Sequence, residues 1–199
     1  MQLPLLPLLY GLDIETDTTI NGLDPAVSSV VAVSLSTEDD IVTFTGPERK
    51  LLRTLDRHLK SLPPGVLVTW NGSGFDLPFL ADRAGAQRVR LGLRLTPDDS
   101  LPHKHPPLTG HDSPYRACWH RHGHLDACCL YRTLLPEGTS CALKPVARDA
   151  GFVVIEEDRE RLHELGAGAL VRYAANDAEL ARLLAARVWV HAGALLDAA

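Results

Sequence analysis

Five residues in three separated segments carry side chains that could do chemistry together. Asp13 and Glu15 stand two apart in Tyr10-Gly-Leu-Asp13-Ile-Glu15-Thr16, at the end of an apolar run. On a strand that spacing points both carboxylates to one side, because side chains alternate with period two. Hard divalent cations take oxygen ligands, and paired acids at a strand end supply them. Taken alone, the pair also reads as a solvated turn. Asp76 lies in Trp70-Asn71-Gly-Ser-Gly-Phe75-Asp76-Leu-Pro-Phe79, where the glycines let backbone turn sharply or approach a ligand. Its plain alternative is a carboxylate favouring a helix N-terminus. Tyr173 and Asp177 are four apart in Tyr173-Ala-Ala-Asn-Asp177, so phenol and carboxylate can converge on one helix face. A core tyrosine beside a surface aspartate would be spelled the same way.

The elements that must position these groups are legible in outline. Tyr10–Thr16 reads as a strand, followed by a turn at Asn21-Gly-Leu-Asp24-Pro25. Val27–Ser36 and Ile41–Thr45, rich in β-branched residues on either side of Glu38-Asp-Asp40, suggest antiparallel strands. Pro47–Leu59 has leucines at helical spacing with proline at a tolerated first-turn position. Val66–Trp70 is a short buried strand and Phe75–Ala84 a helix. Helical pieces at Asp126–Leu135 and Ala142–Ala150 precede a long amphipathic helix over Ala169–Val188. Strands first, then alternation, then helices suit an α/β sheet with an antiparallel portion. The stretch from about 85 to 115, rich in Pro, His and polar residues, is expected to be an irregular insertion, either a functional flap or a flexible segment.

Length and composition fit one soluble globular domain over residues 1–199, with 45% hydrophobic and 23% charged residues. The net charge of −5 argues against a broad basic face for nucleic acid. The charge is uneven, however: residues 81–125 hold seven Lys/Arg against four Asp/Glu, with six of the nine histidines. Arg83, Arg88, Arg90, Arg94, Lys104, Arg116 and Arg121 make this middle the expected electrostatic grip on a polyanion. Leu3–Leu12 lacks a basic n-region, contains Pro4 and Pro7, and reads as a lead-in to the first strand rather than a signal peptide. No run approaches the length of a membrane span. Four cysteines, two of them adjacent, do not form a disulfide framework, so a reducing cytoplasm is the expected setting.

Joined in order, the segments resemble the three exonuclease motifs of the DEDD superfamily, tyrosine branch. The likeness is nearest to the proofreading exonuclease domain of family B DNA polymerases and to stand-alone relatives of it. Asn71-x-x-x-Phe75-Asp76-x-Pro-Phe, Gly123-His-Leu-Asp126 and Tyr173-x-x-x-Asp177-Ala each read as that pattern, and Pro25-Ala-Val-x-x-Val30-x-x-Val33-Ser34 resembles its second strand. The histidine branch would place His five residues before the last Asp, where this chain has Arg172. The resemblance spans about residues 8–190 and leaves nothing for polymerase palm, fingers or thumb. It implies an α/β, ribonuclease H-like mixed sheet with flanking helices. The activity it implies is metal-dependent 3′→5′ exonuclease action on single-stranded or frayed DNA ends. Two ions, Mg²⁺ or Mn²⁺, are implied: Asp13 bridges them, Glu15 and Asp177 hold the first, and Asp76 serves the second through water. Tyr173 would orient the attacking water, and Thr16, Asn71 and Phe75 would contact the terminal nucleotides. Glu156-Glu157-Asp158 is acidic where relatives often carry a basic residue facing DNA.

Two other readings are carried forward. An RNA-trimming 3′→5′ exoribonuclease of the same superfamily would use the same chemistry. A catalytically idle nucleic-acid-binding module would instead hold structural zinc through the stretch Cys118-Trp-His120-Arg-His122-Gly-His124 with Cys128, Cys129 and Cys141, although their spacing is irregular for such a site. Asp126, near the expected site but outside its four ligands, reads most simply as a helix N-cap. A polymerase or repair partner is left unnamed by the sequence.

Overall fold

The computed structural model describes residues 6–102 and 108–192. The apolar run forms β1, Leu9–Thr16, whose alternation divides it between two faces. Tyr10, Leu12 and Ile14 enter the main core, leaving Gly11, Asp13 and Glu15 on the opposite face. β2 (Val30–Ser36) runs antiparallel to β1, and β3 (Ile41–Thr45) antiparallel to β2. On the other side of β1 lies β4 (Val66–Thr69), parallel to it. The sheet continues through β5 (Leu93–Pro97), β6 (Tyr115–Trp119) and β7 (His122–Asp126), with β7 parallel to β4 and the other two antiparallel. The order is β3-β2-β1-β4-β7-β6-β5, so both neighbours of β1 fix the register of its acids.

Helices cover both faces. α1 (Glu48–Ser61) buries Leu51, Leu52, Leu55 and Leu59 against one face. α2 (Asp76–Ala86) adds Leu77, Phe79 and Leu80 to the same core. α3 (Ala127–Leu134), α4 (Leu143–Asp149) and α5 (Ala167–Arg187) serve the other face, where Leu180 and Leu184 pack with Val146 and Ala147. A 3₁₀ turn at Arg159–Glu164 leads into α5.

The mixed α/β architecture agrees with the sequence expectation, with two local differences. Residues 93–97, inside the stretch expected to be irregular, form β5. Leu93 pairs with Trp119 and Leu95 with Ala117, and both leucines pack on the α2 core, so a distant partner organises a strand that local composition conceals. β2 begins at Val30 rather than Val27, because the Val27 and Ser28 amides close a turn onto the Asp24 carbonyl. Lys104 and the first residues of the leucine-rich lead-in lie outside the described residues. Among the described residues no helix is long and apolar enough to cross a membrane.

Candidate active site

Gly11 is what allows the site to form. A Cβ there would lie 2.0 Å from the Ala178 carbonyl oxygen, so only glycine lets α5 settle directly on β1. Because Gly11, Asp13 and Glu15 share a face, this contact sets the neighbouring residue Asp177 over the two acids. Asp13, Glu15 and Asp177 each offer a carboxylate oxygen within 4.8 Å of the others. Among the described residues this is the one group of His, Cys, Asp or Glu with such geometry. Its donors are all carboxylate oxygens, the set a hard divalent cation takes.

Asp76 reaches the same place from the first turn of α2. Its carboxylate accepts a hydrogen bond from the Ile14 amide, between Asp13 and Glu15 in the chain, yet it stays outside the three-carboxylate group. Burial and crowding act on all of these acids. Burial chiefly, then the charges of Glu15 and Asp76, holds Asp13 well above the usual carboxylate range. Burial pushes Glu15 up to about 8 and, with the charge of Asp126, Asp76 to about 7.

Tyr173 is buried one helical turn before Asp177, and burial raises its phenol above the ordinary value. Two cations that the sequence motifs did not single out complete the site. The Lys144 ammonium pairs with Asp177 and sits 4.4 Å from the centre of the Tyr173 ring. Burial lowers its pKa to about 8. Arg159 donates to the Tyr173 hydroxyl. A signal for Lys144 exists: it precedes Ala147 by three residues on a short helix whose other inward residues are apolar. Arg159 has no such signal, since it follows the acidic run. That run does not line the site as a block. Glu156 pairs with Arg148, and Asp158 caps the 3₁₀ turn that presents Arg159.

The remaining expected residues lie at the same, carboxyl end of β1 and β4. Thr16 spends its hydroxyl on the Gly22 carbonyl, 2.6 Å away, closing the loop after β1. Asn71 adopts φ 68° and stays half-buried, as does Phe75, whose ring packs on Phe79. Asp126 does more than cap α3. Its Oδ1 accepts from the amides of Cys128 (3.0 Å) and Asn71 (2.9 Å), and its Oδ2 from Ser73 (2.9 Å). One buried carboxylate therefore ties the start of α3 to the loop that delivers Phe75 and Asp76.

The histidines and cysteines go separate ways. His120 turns the β6–β7 hairpin and contacts Asp56 (3.0 Å), His122 meets the Leu59 carbonyl (2.8 Å), and His124 the Thr69 hydroxyl (2.8 Å). Cys128 and Cys141 are free thiols with sulfurs 3.5 Å apart, while Cys129 bonds to the Pro102 carbonyl. Each group has its own partner, so the described residues do not gather into the zinc site of the idle-module reading. The expected basic grip is also partly committed: Arg83 forks onto Glu48, and Arg116 pairs with Asp98.

A central strand bearing paired acids thus lies beneath a tyrosine–aspartate helix in a mixed sheet of this order. Residues 12–95 match the family described as DNA polymerase family B, exonuclease domain, a span that includes Asp13, Glu15 and Asp76. A DNA polymerase of Archaeoglobus fulgidus is 32% identical over 92 residues, covering 46% of this chain and 12% of that protein. A DNA polymerase of Pyrococcus horikoshii is 36% identical over 61 residues, 31% of this chain and 5% of the polymerase. A DNA polymerase epsilon catalytic subunit of Arabidopsis thaliana is 39% identical over 54 residues, 27% of this chain and 2% of its own length. The chain thus spans a small fraction of these relatives. Among solved structures, the family B DNA polymerase of the hyperthermophilic archaeon Pyrobaculum calidifontis superposes with a TM-score of 0.75 at 23% identity, covering 95% of this chain and 25% of the polymerase. That likeness extends the shared fold over α5, beyond the matched family span.

Proposed function

We propose that residues 1–199 act as one metal-dependent 3′→5′ exonuclease unit, hydrolysing phosphodiester bonds at single-stranded or frayed DNA ends. One observation carries the proposal: carboxylates from β1 and from α5, far apart in sequence, bring their oxygens within 4.8 Å beside a buried tyrosine. When bound, two Mg²⁺ or Mn²⁺ ions supply Lewis acidity, lowering the pKa of water and stabilising the leaving 3′ oxygen. Asp13, Glu15 and Asp177 would hold the first and Asp76 would serve the second.

Tyr173 holds the attacking water rather than deprotonating it. Burial keeps its phenol protonated at neutral pH, and the Arg159 guanidinium fixes the hydroxyl's direction. Thr16, Asn71 and Phe75 would contact the terminal nucleotides, the half-buried ring of Phe75 offering a stacking face to a terminal base. DNA is favoured over RNA because the three relatives are named DNA polymerases.

The test uses single-stranded DNA and RNA labelled at the 5′ end, incubated with Mg²⁺, Mn²⁺ or EDTA, with products sized. A ladder shortened from the 3′ end, dependent on metal and faster on DNA, is expected. Hydrolysis undiminished by chelation of metal-stripped protein would refute the metal mechanism. Faster RNA trimming would transfer the proposal to the exoribonuclease reading.

A further inference from the structure

The outer face of α1 is organised in a way that folding does not require. At about 100° per residue, Arg49, Lys50, Arg53, Arg57 and Lys60 all fall within about 100° of arc. The buried Leu51, Leu52, Leu55 and Leu59 occupy the opposite side. The five cations are exposed, and no described side chain pairs with any of them. The only acids of the helix are engaged elsewhere, Glu48 with Arg83 and Asp56 with Trp119 and the Gly92 amide. Pro47, Arg49, Lys50, Arg53, Thr54 and Arg57 enclose an open groove of about 390 Å³ on this side.

Such a stripe works against the helix. Arg49 and Lys50 stand in the first turn, where the macrodipole disfavours positive charge. Arg49, Arg53 and Arg57 repeat at i, i+4, where like charges repel. In a chain of net charge −5, a concentrated and uncompensated cationic row calls for an anionic occupant. Its position specifies which one. The Glu48 carboxylate accepts the Val30 amide at 2.8 Å, and Val30 pairs with Thr16, the residue after Glu15. The stripe therefore starts at the same end of the sheet as the acids, on the other face, so that a strand reaching both rounds the end of β1, and it runs about 16 Å along the helix from there.

We propose that the Arg49–Lys60 face of α1 binds the sugar–phosphate backbone of the nucleic acid strand whose 3′ end enters the acidic site. This rests on the exonuclease reading and supplies the grip that the partly committed arginines of residues 81–125 do not. The row matches a linear polyanion, since its charges are spaced along one line rather than gathered round a point. It reads phosphates, so it carries no base specificity.

The test compares two charge-matched triple variants of the whole chain: Arg49→Gln/Arg53→Gln/Arg57→Gln on α1 and Arg88→Gln/Arg90→Gln/Arg121→Gln elsewhere on the surface. Glutamine keeps helix propensity close to that of arginine, and thermal unfolding verifies the fold of each. Binding of labelled single-stranded oligonucleotides, short and long, is measured by anisotropy in EDTA across a salt series. The α1 variant is expected to lower the logarithmic salt slope by about 2, at about 0.7 per phosphate, and to weaken binding about 10- to 100-fold near 0.1 M salt. It should also lose the gain in affinity with oligonucleotide length. Equal effects of both variants would reduce the stripe to overall charge and overturn the proposal, as would an unchanged slope in the α1 variant. A wild-type protein that hydrolyses DNA normally while the α1 variant matches it in salt dependence removes the stripe alone. A wild-type protein that neither binds nor hydrolyses removes the exonuclease reading with it.

Discussion

Replacing Asp126 with Asn separates a helix cap from a structural tie, because the two roles predict different costs. As a cap, Asn is as good as Asp, and the change should be felt by no more than a few tenths of a kcal/mol. The carboxylate, however, serves amides on two elements from both oxygens and is 5% exposed. An amide has one acceptor oxygen. With that oxygen kept toward Asn71 and Cys128, its NH₂ faces the Ser73 amide, donor against donor. One charge-assisted bond is lost and a buried N–H is left unsatisfied, which together cost about 2–4 kcal/mol. For a domain of this size that is roughly 4–16 °C of melting temperature, at about 2–4 °C per kcal/mol. The loop over residues 71–75 delivers Asp76, so displacing it by about 1 Å should also slow single-turnover DNA hydrolysis by about 10²-fold. Urea unfolding and rapid-quench kinetics measure the two effects. A stability change below about 0.5 kcal/mol with an unaltered rate would show that Asp126 only caps α3.

Three further outcomes follow from the site. Asp13→Asn should abolish turnover, yet DNA binding measured by anisotropy should persist or tighten as phosphate repulsion falls; near-normal turnover would mean the site is misplaced. Tyr173→Phe keeps the ring under Lys144 and should retain metal binding while losing about 10²-fold in single-turnover rate, and full activity would remove the phenol from the mechanism. Without metal, stability should fall as pH rises from about 5 to 7. Glu15 and Asp76 have folded pKa values of about 8 and about 7, above their ordinary ones, so in that window the folded state binds more protons than the unfolded state. Each contributes at most about 1.4 kcal/mol per pH unit. Thermal unfolding in EDTA should show this slope, Glu15→Gln should flatten it, and a rising or flat wild-type profile would contradict the burial of these acids.

What the sequence made legible was local. β3 runs over Ile41–Thr45 as its alternation indicates, and α1, α2 and α5 begin and end within two residues of their apolar periodicity. The acids of β1 and the Tyr173–Asp177 pair could be placed because strand and helix periods fix which side chains share a face. Long-range partners left no such trace. β5 is set by β6, some twenty residues on and across a stretch rich in Pro and His. Arg83, which looks like a surface cation on its helix, is taken by Glu48, whose glutamate reads as a favourable first-turn acid. Lys144 meets Asp177 across thirty-three positions. Pairings of this kind depend on the crossing of elements, which no window of the chain displays.

The same pairings explain how the acidic site can be part of a stable fold at all. Two charged carboxylates within 4.8 Å of each other repel by about 3.5 kcal/mol or more at an effective dielectric constant of about 20, and three such groups meet here. Protonation relieves part of this, as the raised values of Asp13 and Glu15 record. Lys144 and Arg159 relieve more. Lys144 is held on α4, which packs through Val146 and Ala147 against Leu180 and Leu184 of α5, the helix that carries Asp177. Both members of the pair are thus anchored to one apolar seam, and Pro145 in the first turn of α4 stiffens the backbone beside the lysine. A divalent cation bound at Asp177 would compete with the Lys144 ammonium for the same carboxylate. The fold therefore sets clustered negative charge against enough positive charge to pack it, and α4, unmarked by any motif, carries one of the two cations that do so.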